Sequence, residues 1–240
     1  MSRKKQKEKE FKATYNEKFA HERKPEPLLP KTENQELYLE NLKSCMVNIA
    51  IGSAGTGKTF IPSALAADLY REKKIHKIVV ARPYVQTGKS SGSKPGTSLM
   101  KLYPYVRNML DTMKKRLGTA VYEIALKDGL VGDIEVCELE SIRGRSFDEP
   151  TWLILDESQQ ATKDEMISIV TRLGDNCHFT ACGDPNQKDI RGEGGLEWLL
   201  DFVERHDLDV GVVEFTSDDI VRGDFVKDVV KGLEKDNEFK

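Results

Sequence analysis

The chain holds only four cysteines, Cys45, Cys137, Cys177 and Cys182, and no two of them form a CxxC pair. Zinc ribbons and thiol redox motifs need that spacing, so both are excluded. Three of the four fall in predicted strands and read as small buried hydrophobes. The four histidines are scattered with no HExxH, which argues against a transition-metal centre. No apolar run approaches the roughly 18 residues of a membrane span, and the charged amino terminus is too polar for a secretory signal. These absences lead us to expect a cytoplasmic protein with no membrane partner. Basic charge is not in excess either, since the net charge is −3. A globally basic nucleic-acid binder is excluded, but a local basic groove or tail is not. The charge is uneven: residues 1–27 carry nine Lys/Arg against five Asp/Glu and end in Lys-Pro-Glu-Pro. We read 1–27 as a flexible charged tail, either a solvated charge run or a contact for a partner. Residues 28–240 are enough for one α/β domain.

The most informative stretch present is Gly52-Ser53-Ala54-Gly55-Thr56-Gly57-Lys58-Thr59, which follows the apolar run Met46–Ile51. It is a phosphate-binding loop, GxxxxGK[ST], between a strand and a helix. Its glycines let the backbone wrap an anion without Cβ clashes, and the following helix adds its positive end. Lys58 supplies a point charge for the β- and γ-phosphates, and Thr59 a hydroxyl for magnesium. ATP and Mg²⁺ are the expected ligands.

From Thr32 onward helices and strands alternate. A short amphipathic helix is predicted from Thr32, with Leu37, Leu39 and Leu42 as its apolar face. Strands are predicted at 47–51, 77–82, 134–138, 152–156, 177–183 and 210–215. Helices fall at 58–73, near 99–116, 163–173, 195–205 and 222–234, with a further segment near 119–130. A polar loop covers 86–98. Strands separated by helices imply a parallel sheet with helices on both faces and functional loops at the strands' carboxyl ends.

Two further motifs are expected at that edge. Trp152-Leu-Ile-Leu-Asp156-Glu157 is a core strand running into two acids. Asp156 suits a magnesium position paired with Thr59, and Glu157 the base that polarises the attacking water. As neighbours on a strand they should point to opposite faces and serve different roles. Cys182-Gly-Asp184-Pro-Asn-Gln187 is strong turn chemistry. If strand 5 neighbours strand 1, Asp184 and Gln187 would also stand beside the γ-phosphate, where a glutamine orients water.

With GSAGTGKT, WLILDESQQ and GDPNQ in this order, the chain resembles the PhoH-type ATPases, which are similar to the first, RecA-like lobe of superfamily 1 helicases. Asn34-Gln35-Glu-Leu-Tyr38 resembles the helicase Q-motif, whose glutamine reads adenine. Val80-Ala-Arg82-Pro83, Arg143-Gly-Arg145 and Asp218-Asp-Ile-Val-Arg222 resemble further family motifs, and these too are expected at the strands' carboxyl ends. Where the family commonly has Asp-Glu-Ala-Gln-Asn, this chain has Asp-Glu-Ser158-Gln-Gln. The resemblance covers about residues 30–232. It implies a single RecA-like P-loop NTPase domain, a lone ATPase module of a form often found in bacteriophage genomes. It also implies an ATPase acting on RNA or single-stranded DNA. Candidate nucleic-acid contacts are Arg82, Tyr84, Lys89, Lys94, Tyr103 and Tyr105. A low-turnover regulatory ATP-binding module is the alternative. A nucleoside kinase of the thymidine kinase type is disfavoured by the missing CxxC pairs. Because two-lobed helicases supply a closing arginine from a second lobe, Arg222 is expected to act across the interface of a ring, most simply a hexamer. Its other reading is a helix-start arginine paired with Asp218, Asp219 or Asp224.

Overall fold

The computed structural model describes residues 25–83, 98–127 and 132–236. Tyr84, Lys89 and Lys94, residues 86–97 of the expected loop and nearly all of the tail lie outside the described residues, while Ser98 opens a helix. The elements in chain order are α1 (Glu33–Ser44), β1 (Val47–Gly52), α2 (Phe60–Arg71), β2 (Lys77–Arg82), α3 (Ser98–Leu117), α4 (Thr119–Leu126) and β3 (Ile134–Glu138). They continue with α5 (Leu139–Ile142), β4 (Thr151–Leu155), α6 (Lys163–Val170), β5 (Cys177–Gly183), α7 (Gly195–Arg205), β6 (Gly211–Phe215) and α8 (Asp224–Lys235). All six strands are parallel, in the order β3-β2-β4-β5-β1-β6.

Alternation along the strands builds two cores. Ala50, Ile78, Val80, Trp152, Ile154 and Phe215 face α1 to α4. Ile49, Val79, Ala81, Leu153, Leu155 and Phe179 face α5 to α7. Strands buried on both faces are what near-continuous apolar runs such as Trp152-Leu-Ile-Leu require. Trp152 keeps its one polar atom satisfied by donating to Thr180 Oγ1 at 2.9 Å.

Three local readings are corrected. In α1 the inward residues are Gln35, Tyr38, Leu39 and Leu42, while Leu37 points out. Tyr38 fills the position because its ring packs edge-on against Phe215 and its hydroxyl reaches Lys58 O at 3.0 Å. β4 stops at Leu155, before the two acids. Glu157 has φ 52° and ψ 42°, a left-handed turn, so alternation across a strand does not govern the acids. The third correction is Arg145, which lies at the amino end of the sheet, away from the other motifs. It pairs with Glu135 near the start of β3 at 2.5 and 3.0 Å. The segment before α1 is tied to the domain: Glu26 O accepts from Arg116 at 2.7 Å, and Leu28 packs on the core.

Candidate active site

β1 ends in the glycine loop, and that ending dictates Gly52. Its φ is 124°, and a Cβ there would stand 2.0 Å from Phe215 O of the neighbouring strand. No other residue fits without moving β6. The loop then leads into α2, whose amino terminus points at the cleft. Lys58 donates to Gly52 O at 2.5 Å and Ser53 O at 2.6 Å. Burial lowers its pKa, an effect partly offset by Cys182, Asp184, Asp156 and Glu157. Behind the loop, Tyr38 and Cys182 Sγ both donate to Lys58 O, at 3.0 and 3.1 Å. Thr56 bonds back to Ser53 O at 3.1 Å.

β4 lies two strands from β1, separated by β5, and its end delivers the acids to the same cleft. Thr59 donates to Asp156 Oδ1 at 3.1 Å. Arg82, from the end of β2, donates to Asp156 Oδ2 at 2.8 Å and stands 3.5 Å from Glu157 Oε1. One guanidinium therefore reaches both acids, and they do not face opposite ways. Burial raises the Asp156 pKa above the usual carboxylate range; Arg82 pulls it down and Glu157 pushes it up again. Glu157 also accepts from Gln159 Nε2 at 2.6 Å, while Gln159 Oε1 takes the backbone N–H of Asp184 at 3.2 Å. β5 does neighbour β1, so the Asp184 turn stands at the mouth of the cleft. Asp184 accepts from Gln187 Nε2 at 2.7 Å. Gln160 ties the turn to the acids' loop through Gln187 O at 2.7 Å.

Lys58, Thr59, Arg82, Asp156, Glu157, Asp184 and Gln187 line one cleft of about 990 Å³, together with the strap 26–31, Phe60, Tyr105 and Arg222. Gln35 is buried under the loop, with Nε2 on Thr56 O at 2.8 Å and Oε1 accepting from Lys31 N at 2.9 Å. Its amide thus already braces the loop to the strap. Arg222 lies against Gly55 of its own chain, where an added Cβ would come within 3.2 Å of its side chain. Val221 N donates to Gly55 O at 3.2 Å, which fixes that approach. This places the Arg222 side chain against the glycine loop of its own chain. Tyr103 and Tyr105 are exposed, and the Tyr105 ring lies 5.2 Å below the Arg82 guanidinium.

Thr59 and Asp156 are hard oxygen donors, and among the described residues no group of three His, Cys, Asp or Glu could hold a metal. So sparse an oxygen set fits magnesium, which keeps waters and takes phosphate oxygens to complete its octahedron. Sequence reasoning missed Gln159 and Gln160 as the struts between the two acidic loops. It also missed that Arg82, a candidate nucleic-acid contact, reaches both acids. The DESQQ string itself was the available signal for the struts.

The family model for PhoH-like proteins matches residues 27–234. The chain belongs to the PhoH-like family. It is 34% identical over 210 residues to a PhoH-like protein of Mycobacterium tuberculosis, covering 87% of this chain and 58% of the relative. It is 36% identical over 198 residues to the protein PhoH of Escherichia coli, covering 82% of this chain and 55% of the relative. The chain thus spans little more than half the length of these relatives. Among solved structures, the large terminase of a thermophilic bacteriophage superposes with a TM-score of 0.56 at 14% identity, over 85% of this chain and 50% of the terminase. The family match and this likeness agree with the sheet order and loop in giving a P-loop NTPase fold. Among the described residues no helix is long and apolar enough to cross a membrane.

Proposed function

We propose that this chain binds ATP with Mg²⁺ and hydrolyses the γ-phosphate, and that RNA or single-stranded DNA modulates that turnover. The observation that carries the reading is the 3.1 Å contact of the Thr59 hydroxyl with Asp156, beside Lys58 and Glu157 in one cleft. Thr59 and Asp156 would hold the magnesium, which when bound neutralises charge between the phosphates. Lys58 exchanges its loop carbonyls for phosphate oxygens. Glu157, braced by Gln159, takes the proton of the attacking water, and Gln187 on its turn orients that water. Arg222 acts in cis from Gly55, where it meets charge developing on the phosphates. Gln35 sets the height of the loop and contributes to adenine preference from the strap side.

Self-association is a further part of the reading. A ring, most simply a hexamer, would let Arg222 reach the site of a neighbouring copy, while its place against Gly55 lets it serve its own. What supports assembly is α8, whose Phe225 and Val229 are exposed beside the cleft. Nucleic-acid contact is supported by exposed Tyr103 and Tyr105 and by family membership.

One turnover panel tests the reading. ATP and GTP hydrolysis are measured with and without single-stranded RNA and DNA, for the unaltered chain and for Lys58→Ala and Arg222→Ala. We expect ATP above GTP and stimulation by one of the nucleic acids. Lys58→Ala should lose more than tenfold in nucleotide affinity, because charge-assisted hydrogen bonds are worth about 1.5–3 kcal/mol each. Arg222→Ala should keep affinity and lose turnover, and mixing the two variants should restore nothing if the arginine acts in cis. Full activity of Lys58→Ala would overturn the site, and recovery on mixing would return Arg222 to a partner copy.

A further inference from the structure

Arg82 closes β2 with a charge arrangement that ATP chemistry alone does not explain. Both oxygens of Asp156 are engaged, Oδ1 by Thr59 at 3.1 Å and Oδ2 by Arg82 at 2.8 Å. The second guanidinium nitrogen stands 3.5 Å from Glu157. These are the oxygens a divalent cation at Thr59 and Asp156 would draw on. The Arg82 and Asp156 side chains are only 22% and 13% exposed, so a dication and a guanidinium at the same carboxylate would repel with little screening. A fully formed Arg82–Asp156 pair and a metal on Asp156 therefore compete. The Tyr105 ring already stands 5.2 Å from the guanidinium and holds its face while its edge changes partner.

We propose that Arg82 is a positioning residue that withholds divalent metal from Asp156 until a polyphosphate in the cleft draws the guanidinium off. The inference rests on the nucleotide-site reading above and adds to it a coupling: metal and nucleotide enter together. A guanidinium fork suits both partners, since it matches carboxylate and phosphate geometry alike. Linkage makes the coupling reciprocal: the factor by which nucleotide tightens metal is the factor by which metal tightens nucleotide, and Arg82 supplies the part of it that phosphate ligation does not.

The test uses the full chain and Mn²⁺ as a paramagnetic stand-in, with free Mn²⁺ read by electron paramagnetic resonance. It is run with and without a non-hydrolysable ATP analogue, and circular dichroism checks folding. We expect the unaltered protein to bind Mn²⁺ alone weakly and the analogue to tighten it strongly. Arg82→Gln and Arg82→Ala should bind Mn²⁺ alone at least tenfold tighter, with the analogue's enhancement reduced by the same factor. Arg82→Lys, which keeps a cation, should stay close to the unaltered protein. Adding Asp156→Asn to Arg82→Gln should remove the gain and so locate it. If folded Arg82→Gln and Arg82→Ala bind Mn²⁺ alone no tighter than the unaltered chain, the proposal is overturned. If instead no variant binds the analogue, the nucleotide reading fails, while the metal-alone comparison still decides the role of Arg82.

Discussion

Two arginine–carboxylate pairs stand at opposite ends of this sheet, and their charge balances are opposite. At the amino end, Glu135 receives both Arg145 nitrogens, at 2.5 and 3.0 Å, and Lys77 at 2.6 Å. Burial alone would push its carboxyl up, but the hydrogen bonds of Arg145 and Lys77 outweigh burial and hold it below the usual glutamate range. Two cations serve one acid, and the acid is saturated. At the carboxyl end one arginine is shared by Asp156 and Glu157, and burial leaves Asp156 above the usual range. Here the acids outnumber the cation that reaches them. A saturated pair holds strands together, whereas an under-compensated one can exchange its cation for another. The chemistry of the two ends differs in stoichiometry, although the residue types are the same.

The comparison sharpens first at Glu157. If the carboxyl end is the reactive one, Glu157→Gln should cut kcat by about 10²-fold and leave ATP affinity within a few-fold, because a base matters only as the proton moves. Single-turnover hydrolysis and equilibrium binding check both halves; equal losses in both would assign Glu157 to binding. At the saturated end, Glu135→Gln should leave turnover per folded molecule unchanged and cost about 2 kcal/mol of stability, the scale of hydrogen bonds to charged groups. Its pH signature follows from the depressed pKa. The stabilisation is fully present above the ordinary glutamate pKa and is lost as pH falls through the lower folded value. Urea unfolding across the acid range should therefore show a steeper loss for the unaltered chain than for Glu135→Gln; parallel curves would refute the ion-pair account.

The smallest effect concerns Ser158, at the reactive end. Its hydroxyl is buried and finds no partner among the described residues, pressed toward Gly183. Ser158→Ala should raise stability by about 1 kcal/mol, since it removes an unsatisfied buried polar group. A rise in the thermal midpoint with unchanged turnover is expected, and a fall would reveal a partner for the hydroxyl.

Several parts of this architecture were legible because they are local. Three strands, β2, β3 and β5, and helix α7 lie where the apolar patterning puts them. The boundary errors are also local in origin: apolar periodicity cannot see that Glu157 turns left-handed, so the predicted fourth strand runs one residue too far, into the acids. The inward choice between Leu37 and Tyr38 was not legible, because it depends on Phe215, some 180 residues away in a strand that only the sheet order brings near.

The sequence by itself determined the glycine loop, the strand ahead of it and the acids that end a buried run, because backbone sterics and side-chain alternation act over a few residues. It also determined that a parallel sheet would gather those loops at one edge. Tertiary structure alone decided which charges meet. The order β3-β2-β4-β5-β1-β6 puts β2 beside β4, and so hands Arg82 to Asp156 and Glu157. The same order puts β6 beside β1, and the chain leaving β6 lays Arg222 on Gly55. Arg145, which follows β3, went instead to Glu135 at the far end. Ion pairing is long-range in sequence and short-range in space, so the partner of each arginine was fixed only when the strands had taken their places.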